Sequence, residues 1–109
     1  MTHDKYILNE KGVPVLENDF DKWAEWNFMQ EAKSNRIVKQ EHFGTAGEIL
    51  VSTVFLGLDH NWRTNGPPIL WETMVFGGKL DQEMDRCSGS REQAEAMHQR
   101  MVERVKKAK

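Results

Sequence analysis

The chain has 109 residues, of which 15 are Lys or Arg and 17 are Asp or Glu, and its formal net charge is −2. This length predicts one domain, residues 1–109, around a single hydrophobic core. The lack of a basic excess argues against nucleic acid as a partner, because non-specific nucleic-acid binding depends on one. A single cysteine excludes an internal disulfide and a zinc cluster of several thiolates.

The sequence also predicts the compartment. No apolar stretch approaches the ~20 residues that a membrane span requires, and residues 1–5 lack the pattern of a signal peptide. We therefore predict a cytoplasmic protein with no membrane partner. Thiols stay reduced in the cytoplasm, and a lone cysteine such as Cys87 is more often incidental than reactive.

The beginning of the chain predicts a hairpin. Residues 5–8 form a short β-prone run, and the turn that follows contains Gly12, which adopts a positive φ at little cost. Residues 13–15 are predicted as an edge strand or extended arm, because Pro14 cannot donate a hydrogen bond to a neighbouring strand. We expect this hairpin to pack at the margin of a sheet.

A helix is predicted from about residue 19 to residue 33. Asp19 is a preferred N-cap residue, and acidic residues follow in the first two turns. Phe20 and Trp23 lie on one face at helical spacing, which predicts that both are core residues. Trp26 lies beside this stripe and is assigned to the core less clearly.

Three strands are predicted next. Residues 36–43 alternate without a strongly apolar face, as in a half-exposed outer strand. Residues 49–58 and 69–76 are dense apolar runs, which indicates two neighbouring buried strands joined by a long hairpin loop. Because both sides of the 49–58 run are largely apolar, we expect a central strand that is covered, at least in part, on both faces.

A polar segment and a second helix complete the chain. Residues 79–87 are mixed and polar, and we predict a loop or one helical turn. Ser90 and Gln93 form a capping-box pattern for a helix that extends to about Lys107. His98 lies on its apolar side and is interpreted as a core histidine with satisfied hydrogen bonds. The predicted fold is α+β, an antiparallel sheet of three to five strands with two helices packed on it, in the order β(β)αβββα.

The loop of residues 59–68 is the candidate binding site. Long loops carry function more often than short ones, and Trp62 and Arg63 belong to residue types enriched at binding hot spots. Glu72 lies on a strand face otherwise made of Leu, Met and Phe, where a buried carboxylate needs a partner or water. We predict a binding site formed by His60, Trp62, Arg63 and Glu72.

Two other functions remain open from the sequence. Asp59, His60 and Glu72 are the residue types of an acid–base pair or a partial metal site, as in a small metal-assisted or acid–base enzyme. No nucleophile elbow, P-loop, HExxH or dinucleotide-binding pattern is present, so no catalytic residue, metal ligand or cofactor is assigned. A basic C-terminal cluster, with Trp62, would suit nucleic-acid binding, although cations there also complement a helix dipole. The cluster comprises Arg104, Lys106, Lys107 and Lys109.

Two sequence blocks resemble a known family. Residues 51–60 (VSTVFLGLDH) and 68–78 (PILWETMVFGG), followed by a helix with Ala94 and His98, resemble small uncharacterised proteins encoded by bacteriophages and prophages. The resemblance covers the C-terminal half of the chain, and the N-terminal strand and Trp-bearing helix fit it as well. It implies a phage-borne accessory protein in the bacterial cytoplasm, and it implies no activity, cofactor or catalytic residue.

The predicted function is therefore binding of another protein, from the host or the phage, through the 59–68 loop. Homodimerisation through the same hairpin is compatible with this prediction. An enzyme is the less favoured alternative, and nucleic-acid binding is weaker still.

Overall fold

The fold is described by a computed structural model over residues 4–29, 35–62 and 65–108. Its elements follow the order ββαββββα, which confirms the predicted α+β class. The strands are β1 (Tyr6–Leu8), β2 (Pro14–Leu16), β3 (Ile37–Phe43), β4 (Ile49–Phe55), β5 (Ile69–Phe76) and β6 (Met84–Ser88), and the helices are α1 (Phe20–Phe28) and α2 (Arg91–Lys107).

The main sheet is antiparallel and has the strand order β3-β4-β5-β6. Its central pair is in register along its whole length, from Leu50 opposite Phe76 to Phe55 opposite Trp71. Helix α2 contacts all four strands and covers one face of the sheet. The core lies between them and is formed by Val51, Phe55, Trp71 and Val75 of the sheet and Ala94, Met97, Met101, Val102 and Val105 of the helix.

The second face of the main sheet is not covered by an element of the described residues. Ser52 on this side of β4 is 9% exposed, and Leu50 and Val54 are half-buried there. The central strand is therefore covered by α2 on one side and only in part on the other, which is compatible with the predicted cover, at least in part, of both faces. We call the uncovered side the open face.

The N-terminal hairpin is a separate two-stranded sheet. Tyr6 pairs with Leu16 across β1 and β2. The hairpin joins the end of β4 through a bridge between Lys5 and Leu58 and a hydrogen bond of 2.8 Å from the Tyr6 amide to the Gly57 carbonyl. The hairpin therefore lies at the margin of the main sheet, as predicted.

Helix α1 begins at the predicted N-cap, where the Asp19 side chain accepts a hydrogen bond from the Lys22 amide. It ends at Phe28, because the backbone of Met29 is extended, and the rest of the predicted helix lies largely outside the described residues. Trp26 packs edge-on against Phe55, with 6.0 Å between ring centroids. Phe20 is 61% exposed, so the prediction of a core position was wrong for this residue. The helix is short and turns its two tryptophans, rather than Phe20, towards the sheet.

Strand β6 corrects the prediction of a loop or helical turn over residues 79–87. It pairs with β5, with Arg86 opposite Glu72 and Met84 opposite Met74. An edge strand loses little by carrying polar residues, and this strand therefore lacks the apolar run that marks a buried strand in a sequence. Helix α2 begins at the predicted capping box, in which the Ser90 and Gln93 side chains each bond the other's backbone amide.

Candidate functional site

The loop between β4 and β5 is held by the carboxylate of Asp59. Oδ1 of Asp59 accepts hydrogen bonds from the amides of Asn61, at 2.8 Å, and Ile69, at 2.9 Å. The first amide lies near the beginning of the loop and the second at the start of β5. One oxygen atom thus ties the two ends of the loop together, and Asp59 has the structural role of an Asx-type anchor.

His60 and Asn61 add further bonds within the loop. The His60 amide donates to the Ile69 carbonyl at 2.9 Å, and Nδ1 of its ring lies 2.8 Å from the Leu58 carbonyl. A carbonyl only accepts, so Nδ1 carries the hydrogen and Nε2 of the neutral ring is an acceptor. The side-chain amide of Asn61 donates to the carbonyls of Asn65, at 3.2 Å, and Pro67, at 3.0 Å. Residues 59–61 are therefore tied to residues 65–69 by hydrogen bonds within the described part of the loop.

Trp62 stands at the tip of this anchored loop and is 70% exposed. A shallow cavity of about 460 Å³ lies beside it. A tryptophan with this exposure presents a large apolar surface to solvent, which is typical of a contact site for another molecule. Arg63, predicted as its neighbour in the site, lies outside the described residues. The cavity is lined by His60, Asn61, Trp62, Asn65, Gly66, Pro67 and Ile69.

Glu72 has a different environment from the loop residues. It lies on the open face of β5, where its carboxylate accepts a hydrogen bond of 2.9 Å from Nε of Arg86. The partner that a carboxylate at this position needs is thus Arg86, opposite it on β6, a strand that the sequence pattern did not predict. His60 and Trp62 lie together at the loop, whereas Glu72 is engaged elsewhere in the sheet.

The same contacts bear on the acid–base and metal alternative. Asp59 uses one carboxylate oxygen on two backbone amides, and Glu72 is paired with Arg86. Among residues 4–29, 35–62 and 65–108, no group of three or more His, Cys, Asp or Glu side chains is arranged to hold a metal ion. Asp59, His60 and Glu72 all belong to these ranges.

A buried polar chain crosses the core beneath α2. The hydroxyls of Thr53 and Thr73, which face each other on β4 and β5, are 2.5 Å apart, and Thr53 lies 2.7 Å from Nδ1 of His98. Nε2 of His98 lies 2.8 Å from the carboxylate of Glu41. This confirms that His98 is a core histidine with satisfied hydrogen bonds.

The chain of Glu41, His98 and Thr53 has the residue types of a nucleophile–base–acid triad, but its burial decides its role. Thr53 is fully buried and His98 is 1% exposed, so no substrate carbonyl can approach the hydroxyl. We therefore assign the chain to the stability of the core. Two threonines at matching positions of two apolar strands are the sequence signal that would have pointed to it.

Glu41 is the solvent-facing end of this chain. The hydrogen bond from His98 lowers the pKa of its carboxyl group, and the positive charge of Lys39, whose Nζ lies 3.5 Å away, acts in the same direction. Partial burial opposes both effects. The carboxylate form of Glu41 is therefore favoured in the folded protein.

Three residues of the basic C-terminal cluster lie in the last turn of α2, where cations complement the helix dipole, namely Arg104, Lys106 and Lys107. Arg104 is paired with Glu83 at 3.0 Å. Nζ of Lys106 lies 5.9 Å from the centre of the Phe43 ring. These contacts give two of the cations a structural role, and Lys109 lies outside the described residues.

Comparisons with known proteins found no relative, so the function is inferred from the fold and the loop. No model of a known protein family matches the chain, and neither curated proteins nor solved structures gave a match. No helix among the described residues is both long and apolar enough to cross a membrane. The fold and the site define a small α+β protein with an anchored, tryptophan-bearing loop.

Proposed function

We propose that this chain is a binding protein that contacts another protein through the loop of residues 59–68. The observation that carries the proposal is the 70% exposure of Trp62, directly after Asn61, whose amide is held by Asp59 together with that of Ile69. Tryptophan is among the residues that dominate the energy of protein interfaces. A loop ordered before binding also loses less conformational entropy when the partner arrives.

The surroundings of Trp62 support a protein as the partner. The cavity beside the indole combines apolar surface from Ile69 and Pro67 with polar groups from His60 and Asn61. This mixture matches a protein interface, in which an apolar centre is rimmed by hydrogen-bonding groups. A side chain of the partner would fill the cavity while its backbone contacts the polar rim.

Contacts within the chain favour binding over the two alternatives. An acid–base or metal-assisted enzyme would need Asp59 and Glu72 for chemistry, and both carboxylates are engaged in structural bonds. A nucleic-acid-binding protein would need unpaired cations, and Arg104 is neutralised by Glu83. For neither alternative do the described residues form a site, whereas Trp62 and the cavity beside it form one for binding.

The biological setting of the proposal rests on the sequence. The blocks at residues 51–60 and 68–78 resemble phage and prophage proteins. We accordingly place the protein in the bacterial cytoplasm as a phage-encoded accessory protein, with a host or phage protein as its partner.

The test is affinity capture from bacterial lysate with three purified proteins. These are the wild type, Trp62→Ala, and the control Phe28→Ala, which removes an aromatic side chain that is 76% exposed on α1. All three should melt at closely similar temperatures, because both side chains are exposed. We expect one specific partner to be captured by the wild type and by Phe28→Ala and lost with Trp62→Ala.

Three outcomes would contradict the proposal. A partner retained by Trp62→Ala would move the contact away from the loop. Failure of the wild type to capture a partner, in lysates of infected as well as uninfected cells, would remove protein binding as the function. Turnover of a substrate by the wild type that is lost in His60→Ala would favour the enzyme.

A further inference from the structure

The open face of the main sheet is a second surface with the composition of an interface. Register places its side chains in cross-strand rows, such as Leu50 beside Phe76 and Met74 beside Met84. Phe76 is 45% exposed and Met84 is 44% exposed. The face comprises Ile37, Gln40, His42, Leu50, Ser52, Val54, Glu72, Met74, Phe76, Met84 and Arg86.

Charges are distributed unusually across this face. On edge strand β3, the charged residues Lys39 and Glu41 lie on the α2 side, and the open side carries Gln40 and His42. Glu72 and Arg86 are the charged residues of the open face, and they form an ion pair with each other. The face thus combines apolar side chains of β4, β5 and β6 with Gln40, His42, Ser52 and one internally neutralised ion pair, and it carries no unpaired Lys, Arg, Asp or Glu among the described residues.

We propose that the open face is the interface of a symmetric homodimer, in which the sheets of two copies pack face to face. A surface that meets its own copy must not carry net charge, because each charge on one copy is repeated on the other. The Glu72–Arg86 pair satisfies this condition within one copy. Met, Phe and Arg are also the residue types enriched at such interfaces, whereas Lys is depleted.

The size of the face suits a weak but specific dimer. Strands spaced by about 4.8 Å and rising about 3.3 Å per residue give the sheet a flat area of roughly 440 Å². Two copies would together bury about twice this flat area. Protruding side chains add to the accessible surface that is buried, so the total approaches the ~1,200 Å² of small specific interfaces. We therefore expect a dimer that forms reversibly as the concentration of the chain rises. Sheets packed in this way stand about 10 Å apart.

The dimer interface is separate from the surface assigned to the proposed function. Trp62 lies on the loop between β4 and β5, whereas the open face is the flat side of the sheet itself. Trp62→Ala should therefore leave dimerisation unchanged, so that failure of the dimer proposal and failure of the loop proposal are distinguishable.

The decisive experiment is analytical ultracentrifugation over a wide range of concentration, with wild type, Phe76→Glu and Phe20→Glu. Phe76 lies on the open face and Phe20 lies on α1, and both side chains are exposed. The wild type should progress from the chain mass of 12.7 kDa to twice that mass. Phe76→Glu should remain monomeric, and Phe20→Glu should behave as the wild type.

A spectroscopic readout locates the contact without a mutation. Methyl signals of Met74 and Met84, on the open face, should shift on dilution of the wild type. Those of Met29, on the surface beside α1, and Met97, in the core, should stay constant. If Phe76→Glu fails to fold, Met84→Glu, on the edge strand, replaces it.

A wild type that stays monomeric at millimolar concentration would overturn the proposal and leave the face to a different macromolecule. Dimerisation that persists in Phe76→Glu or Met84→Glu, or that is lost in Phe20→Glu, would overturn it by placing the contact elsewhere.

Discussion

Thr53 on β4 and His98 on α2 are joined by a hydrogen bond of 2.7 Å in the centre of the core. The carboxylate of Glu41 only accepts, so Nε2 of His98 must carry a hydrogen. In the neutral ring, Nδ1 then accepts from the Thr53 hydroxyl, which in turn accepts from Thr73. This directional chain links the helix to the edge strand through the centre of the sheet.

Replacement of His98 by Leu should destabilise the protein. The substitution keeps the site filled, but the buried pair of Thr53 and Thr73 then has one hydroxyl hydrogen without an acceptor, and the bond to Glu41 is lost. An unsatisfied buried polar group of this kind costs about 1–3 kcal/mol of unfolding free energy. The melting temperature should fall by about 4–8 °C for each kcal/mol lost. The control is Gln99→Leu, the next residue on α2, which is exposed. Equal stability of His98→Leu and Gln99→Leu would contradict the structural role of the chain.

Glu41 should make stability depend on pH in the acid range. Its pKa is lowered on folding from the usual value of 4.5, chiefly by the hydrogen bond from His98. A group whose pKa is lowered in the folded state stabilises that state above its unfolded pKa, and this contribution is lost as the pH falls through the folded pKa. Denaturation of wild type and Glu41→Gln between pH 7 and pH 3 measures this contribution to the unfolding free energy.

Glu41→Gln isolates this contribution from that of the other carboxylates. The glutamine oxygen still accepts from His98, but it neither titrates nor carries charge. The advantage of wild type over the variant should therefore be greatest near neutral pH and shrink below about pH 4.5. A stability difference that stays constant over the whole range would contradict the assignment.

Apolar patterns were sufficient to predict the class of fold and most of its elements. Residues 49–58 and 69–76 reveal the central strands because buried strands need continuous apolar residues. Strand β6 escaped prediction because its stability comes from pairing with β5 and from the Glu72–Arg86 contact, neither of which is visible in a local pattern. Phe20 was predicted to be buried but is exposed. A residue on an apolar stripe is buried only when the helix turns that stripe towards the sheet.

The exposure of Trp62 could be predicted from the sequence, whereas the hydrogen bonds around it could not. A long polar loop with Trp62 at its centre pointed to a contact surface, and the indole is exposed there. The bonds of Asp59 depend on where Ile69 returns at the start of β5, which is a tertiary relationship. The separation of Glu72 from the loop likewise depends on the pairing of two strands.

Cys87 should react slowly with alkylating agents in the folded protein. Burial raises the pKa of its thiol, the negative charge of Asp85 raises it further, and Arg100 opposes them in part. The thiolate is the reactive form, so its population at neutral pH falls. The rate of alkylation should be lower in buffer than in urea, and Asp85→Asn should react faster than wild type in buffer. A native rate that equals the rate in urea would contradict this prediction.

Gly77 should tolerate substitution less well than Gly12. Both have a positive φ, of 92° and 76°, so alanine at either position is strained by about 1–2 kcal/mol. A Cβ at Gly77 would also collide with the backbone carbonyl of Glu48, whereas at Gly12 the nearest atom, Cδ of Arg91, is 3.9 Å away. Overpacking of this kind costs about 1–3 kcal/mol more. Denaturant titration of Gly77→Ala and Gly12→Ala should give this order, and equal losses would contradict it.

The carboxylate of Asp59 should control the order of the loop between β4 and β5. Asp59→Ala removes the acceptor for the amides of Asn61 and Ile69, whereas Asp59→Asn keeps a side-chain oxygen in the same place. Hydrogen exchange at these two amides should accelerate in Asp59→Ala and stay close to wild type in Asp59→Asn. Because an ordered loop binds at a lower entropic cost, Asp59→Ala should also weaken capture of the proposed partner, whereas Asp59→Asn should retain it. Unchanged exchange in Asp59→Ala would mean that the loop is held by His60 and Asn61 instead, and that preorganisation does not depend on this carboxylate.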